Sequence, residues 1–171
     1  MIYFTSDQHF GHRRVIAHSN RPFADIEAMD SVMLDNINKA VEPNDTLYLL
    51  GDFSWIKRKV SHYRNQIVCR NVHLIVGNHD PLTKQGLPKG HLLSRFSSVN
   101  NFLTVRYASH TFVCSHYPME TWPMANKGSF HLHGHSHGKS TFKRHRLDVG
   151  VDCHEFRPLT AIDIIRTMEK V

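Results

Sequence analysis

Apolar residues along this chain fall into two kinds of run. Short unbroken ones, Ile2–Thr5 (IYFT), residues 46–50 (TLYLL) and residues 72–76 (VHLIV), have the length of buried strands. Between the first two, Ile26, Met29, Met33, Ile37 and Val41 recur every three or four positions. That period predicts a helix over residues 25–41, with Asp25 as its cap and Pro43 just past its end. Residues 55–66 are basic and read as a second helix. After Pro81 the pattern changes. Residues 102–106 and 111–115 predict two strands paired through a turn at 107–110, and residues 130–133 and 147–151 predict two more. Residues 160–170 space Ile162, Ile165 and Met168 among charged positions, as a closing helix would. Residues 84–98 read as loop. Strand–helix alternation followed by a strand-rich half predicts an α/β (α+β) chain with two sheets and helices outside. With no linker or repeat, residues 1–171 read as a single domain.

Composition narrows the partners. With 40% hydrophobic and 21% charged residues, the chain can bury a core and is not a disordered one. It holds no apolar window long enough for a membrane helix and no basic-then-apolar leader, so a cytoplasmic location is expected. Cys69, Cys114 and Cys153 are too scattered for a disulfide framework or a Cys-type zinc finger. A net charge of +6 favours anionic partners, phosphates or nucleic acid among them. The 15 His in 171 residues are either scatter or a metal site, because neutral imidazole is a common metal ligand.

Position decides between these. Each of the first three strands runs straight into polar, ligand-type residues: Asp7 and His9, then Gly51-Asp52, then Gly77-Asn78-His79-Asp80. In open α/β sheets, sites lie beyond the carboxyl ends of strands. Asp7 and His9, two apart on an extended segment, would point to one side. Taken singly these blocks are weak, since Gly-Asp and Asn-His-Asp also make ordinary turns. His116 follows the 111–115 strand. His131, His133, His135 and His137 would share a face if extended, and Gly134 among them argues for a bend with close backbone approach.

Taken together and in order, D-x-H, G-D, G-N-H-D, a later His and G-H-x-H resemble the calcineurin-like metallophosphoesterases, in the small single-domain form of bacterial and phage members. The blocks span Asp7 to His137. The resemblance implies a four-layer sandwich of two mixed β-sheets flanked by helices. It also implies two divalent ions, Mn²⁺ foremost, with Fe, Zn²⁺ or Ni²⁺ as alternatives. Asp7, His9 and His137 would hold the first ion, and Asn78, His116 and His135 the second. Asp52 would bridge them, and His79 would be the catalytic histidine that is not a ligand. Two such ions clamp the attacking and leaving oxygens of an in-line displacement and supply hydroxide near neutral pH. The expected activity is hydrolysis of phosphate esters, with phosphodiesters or nucleotide-like substrates favoured by an open, basic-rimmed site.

The chain departs from the protein Ser/Thr phosphatases of that superfamily. Their second block reads GD-x-VDRG, whereas here it reads GDFSWIKR, without the second Asp that orients the catalytic His. The orienting partner of His79 is therefore open, with Asp80 the adjacent possibility. His12 either faces the phosphate or begins a helix. His131 and His133 either support the ligands or are plain strand residues. Lys57, Arg58 and Lys59, and the tract from Lys139 to Arg146, are either solvated loops or phosphate contacts. Two rival functions stand beside the phosphoesterase: a non-catalytic metal-binding scaffold on the same fold, and a nuclease-type processor of nucleic acid.

Overall fold

The computed structural model describes residues 1–81, 89–141 and 143–170. The three apolar runs form parallel strands β1 (Ile2–Thr5), β2 (Thr46–Leu49) and β3 (Asn71–Ile75). With β4 (Ser98–Asn100) and the two-residue β9 (Leu159–Thr160) they make a sheet of order β4-β3-β2-β1-β9, in which β9 alone is antiparallel. The second sheet is β5 (Phe102–Tyr107), β6 (His110–Ser115), β7 (Phe130–His133) and β8 (Arg146–Asp148). β5 and β6 form the expected hairpin, while β6, β7 and β8 run parallel.

The helices are α1 (Arg13–His18), α2 (Ile26–Ala40), α3 (Val60–Gln66), α4 (Gly90–Leu93) and α5 (Ala161–Glu169). In α2, Asp25 caps the start by accepting from Ala28 N at 2.8 Å, and Met29, Met33, Leu34 and Ile37 form the buried stripe. That stripe packs with Tyr3, Leu47, Leu49, Val72 and Leu74 on one face of the first sheet, together with Val60 and Tyr63 of α3. The opposite face, through Phe4, meets Phe112, Cys114, Phe130 and Leu132 of the second sheet, and Ala161, Ile164 and Met168 of α5. Alternation along β1 sends Tyr3 to one core and Phe4 to the other. The outer face of the second sheet is covered by residues 117–128, whose backbone N–H at Met119 donates to His131 Nε2. The architecture is two mixed sheets flanked by helices, as expected.

Several boundaries moved. The second predicted helix begins as a 3-10 turn at Lys57–Lys59 and becomes α-helical only at Val60; Trp55 lies in a bend before it and donates its backbone N–H to Phe10 O at 3.0 Å. β8 stops at Asp148, where Asp148 Oδ1 accepts from Gly150 N and the chain enters a 3-10 turn at Val151–Cys153. Within the predicted loop, residues 84–88 lie outside the described residues, and the remainder includes α4 and the first residue of β4. Among the described residues no helix is long and apolar enough to cross a membrane.

Candidate metal centre

The carboxyl ends of β1, β2, β3, β6 and β7 converge. Asp7 and His9 follow β1, Asp52 follows β2, and Asn78 and His79 follow β3; His116 follows β6, and His135 and His137 follow β7. All eight expected residues meet there.

They converge by turns and not by pleat. β1 ends at Thr5, and Asp7 and His9 adopt left-handed φ of 61° and 54°. Asp52, His135 and His137 do the same at 53°, 67° and 46°. Asp and His tolerate this region better than most residues, yet it still costs about 1–2 kcal/mol each. Backbone bonds from Asp7 N to Gly51 O (3.0 Å) and from His9 N to Asp52 O (2.9 Å) keep the two turns side by side.

The histidine run divides at Gly134. His131 and His133 stay on β7, fully buried, with Nδ1 on the carbonyls of Val113 (2.9 Å) and Gly134 (2.8 Å). They are satisfied strand residues; neither bonds a candidate ligand side chain. A Cβ at Gly134 would lie 2.0 Å from Ser6 Oγ and 2.4 Å from Asp7 Oδ2, so glycine is what lets the run pass over the end of β1.

Two groups of ligand atoms result. Asp7 Oδ1 and His9 Nε2 lie 3.9 Å apart, both buried and both without a hydrogen-bond partner. Buried polar atoms rarely lack one. Two facing lone pairs at this separation suit a cation bound at about 2.0–2.2 Å from each. The ligand atoms of Asp7, His9 and His137 fall within 4.8 Å of one another. In the second group, Asn78 Oδ1 is met by His116 Nε2 and His135 Nδ1, each at 3.1 Å. Asp52 Oδ2 stands between the groups, 3.5 Å from His9 Nε2 and 3.6 Å from His116 Nε2.

Burial holds His9 down at about 2, so its nitrogen is a neutral lone pair at working pH. Burial lifts Asp7 to about 7. Asp52 feels the same upward push, but the hydrogen bond and charge of His116 outweigh it and bring it to about 2. Reciprocally, burial pulls His116 down, and the Asp52 carboxylate more than restores it, to about 9. The metal-free chain thus keeps a proton where a cation fits.

No family model matches the chain. An uncharacterized protein of Methanocaldococcus jannaschii is 27% identical over 178 residues, covering 99% of this chain and 92% of that one. A protein of unknown function from Aquifex aeolicus superposes with a TM-score of 0.76 at 23% identity, over 98% of both chains. YfcE, a phosphoesterase from E. coli, superposes with a TM-score of 0.51 at 16% identity, over 87% of this chain and 77% of that one. The fold is that of the calcineurin-like metallophosphoesterases.

On this metallophosphoesterase fold, Asp80 does not orient His79. Its carboxylate accepts from the N–H groups of Asp52 (2.9 Å), Phe53 (3.0 Å) and Gly77 (2.8 Å), and so shapes the turns after β2 and β3. His79 is half-exposed; its backbone N–H donates to Asp52 Oδ1 at 2.9 Å, and its ring Nε2 lies 3.9 Å from Asp52 Oδ2. His12 begins a helix, as the cap residue of α1, and its ring also lines the basin with Nδ1 3.3 Å from His9 Nδ1.

Sequence reasoning missed a buried support. His137 Nδ1 pairs with Asp152 Oδ2 at 2.6 Å, leaving its Nε2 free. Arg21 clamps the same carboxylate, Nε to Oδ1 at 2.7 Å and Nη2 to Oδ2 at 2.8 Å. It also donates to the carbonyls of Asp7 (2.8 Å) and Gln8 (3.1 Å). A carboxylate behind a ligating histidine fixes its tautomer and ring orientation. The signal in the sequence was slight: an arginine before Pro22 and an aspartate in the tail, 131 residues apart. Asp148 similarly holds the 134–138 turn, accepting from Ser136 Oγ (2.5 Å) and Gly138 N (3.0 Å). The two basic tracts part ways. Lys143 is engaged by Glu120, and Arg146 by the carbonyls of Met119 and Thr141, whereas Lys57 stands beside His79.

Proposed function

We propose that this chain is a dinuclear metal-dependent phosphoesterase acting on phosphodiesters or nucleotide-like esters. The observation that carries the reading is Asp52 Oδ2, set between the imidazoles of His9 and His116 at nearly equal distance, beside the orphaned pair Asp7 Oδ1 and His9 Nε2. Asp7, His9 and His137 would hold one ion, Asn78, His116 and His135 the other, and Asp52 both. The mixed oxygen and nitrogen donors suit Mn²⁺, Fe, Zn²⁺ or Ni²⁺ better than Mg²⁺ or Ca²⁺. Such ions, when bound, neutralise phosphoryl oxygens and lower the pKa of water.

The chain's own residues do the rest. Asp152 and Arg21 keep His137 turned to the centre. His79, the half-exposed imidazole at the mouth, donates its proton to the departing oxygen. Arg14 and His18 of α1 line the same basin and give it a basic wall.

The test is hydrolysis of bis(4-nitrophenyl) phosphate with Mn²⁺, with metal analysis in parallel. Two ions per chain are expected, with His79→Ala losing at least a hundredfold in kcat while retaining both ions, and Asp52→Asn losing ions and activity together. Activity untouched by both changes would refute these roles, and two bound ions without turnover would favour the scaffold.

A further inference from the structure

The basin floored by the candidate ligands, about 380 Å³, does not end at His79. A second hollow of about 190 Å³ adjoins it, lined by Trp55, Lys57, Asn78 and His79, and Trp55, Asn78 and His79 are common to both. Trp55 is 43% exposed although the His12 ring lies parallel to it at 3.9 Å and 6°. With the Trp55 backbone N–H on Phe10 O and the ring stacked on His12 and tilted against His79, the indole is a braced plate whose remaining surface faces out. Lys57 is exposed and forms no ion pair with a described residue. Nothing in either hydrophobic core requires a tryptophan here.

We propose that the hollow beyond His79 is a nucleoside subsite, receiving the leaving half of a nucleotide-type phosphodiester with its base against Trp55 and a neighbouring phosphate near Lys57. The inference rests on the phosphoesterase reading above and names its substrate side. In that reaction the oxygen of water bonds to phosphorus, the P–O bond to the nucleoside breaks, and the departing oxygen takes its proton from His79. The products are a phosphomonoester and a nucleoside-type alcohol, and no other reactant is needed. Because His79 sits at the departing oxygen, the group attached to that oxygen extends to the far side of His79, where the hollow lies. A sequence-tolerant aromatic plate beside an unpaired cation is the usual way to hold a nucleotide without reading its base.

The 171-residue chain, metal-free and in chelator, is titrated with adenylyl-(3′→5′)-adenosine while tryptophan emission is followed. Saturable quenching is expected, lost in Trp55→Phe and at least fivefold weaker with the same diester lacking both bases. With Mn²⁺, the wild type should prefer the dinucleotide over the base-free diester in kcat/KM. Trp55→Ala should shrink that preference about tenfold, since base–aromatic stacking is worth that much or more, and Trp55→Phe should keep most of it. Equal quenching by the base-free diester, or a preference unchanged in Trp55→Ala, overturns the subsite. Base-dependent quenching without hydrolysis of either diester upholds the subsite and sinks the phosphoesterase reading.

Discussion

Replacing Arg21 by methionine removes a guanidinium that is almost wholly enclosed and makes five hydrogen bonds: two to Asp152 and one each to Asp7 O, Gln8 O and Met29 Sδ. Methionine fills much of the volume but leaves the Asp152 carboxylate, itself largely buried, with His137 as its remaining charged partner. Taking one partner from a buried ion pair costs about 3–5 kcal/mol. A second route gives the same order. Burial pushes Asp152 up, yet His137 and Arg21 outweigh it and hold it at about 2 against an ordinary 3.8. That difference is about 2 kcal/mol shared between the two partners, to which the lost bonds to Asp7 and Gln8 add. For a chain of this size the loss should lower Tm by about 10 °C or somewhat more. Without Arg21 the carboxylate is no longer held in place behind His137, so Mn²⁺ affinity should fall about 10–100-fold. Thermal melts of the metal-free chain and calorimetric Mn²⁺ titration read the two effects separately. Adding Asp152→Asn to Arg21→Met removes the stranded charge, so the double variant should lose less than the sum of the singles. A Tm within 2 °C of wild type, or strict additivity of the pair, would refute the clamp.

Asp152 has a depressed pKa in the fold, so its contribution is complete above pH about 4 and disappears as pH falls toward 2; the stability gap between wild type and Arg21→Met should narrow over that window in acid titrations at low denaturant, down to the part due to the Asp7 and Gln8 carbonyl bonds. Gly134→Ala would press a Cβ against Ser6 Oγ and Asp7 Oδ2, so Mn²⁺ binding should drop at least a hundredfold while far-UV circular dichroism stays near native; unimpaired binding would contradict the close approach. Asp80→Ala leaves three N–H groups without their acceptor, and urea unfolding should report a loss of about 4 kcal/mol.

What the sequence revealed and what it hid divide along physical lines. Strand ends were legible because three apolar runs each stop at a polar, ligand-type residue, and parallel sheets gather such ends on one side. The α2 helix was legible because its stripe keeps period and its Asp25 cap sits where the stripe begins. The means by which Asp7 and His9 meet was not, because alternation describes a pleated strand and both residues have already left it for left-handed turns. Arg21 and Asp152 were hidden for another reason: a buried ion pair between distant segments leaves no period and no spacing. Trp55 was read into a helix because its basic neighbours are helix-compatible; the bond to Phe10 O, a tertiary one, decides otherwise.

Five of the seven candidate ligands sit in left-handed backbone, where glycine would be the more comfortable residue. Comfort and chemistry therefore compete at the same positions. Any selection that rewards only a sturdier metal-free chain would drift toward glycine at Asp7, His9, Asp52, His135 and His137, and would erase the centre one ligand at a time while leaving the sheets intact. On the proposed function, a descendant of this chain that had given up its metal centre should first be recognisable there, as a relaxed and glycine-rich rim around an undisturbed core.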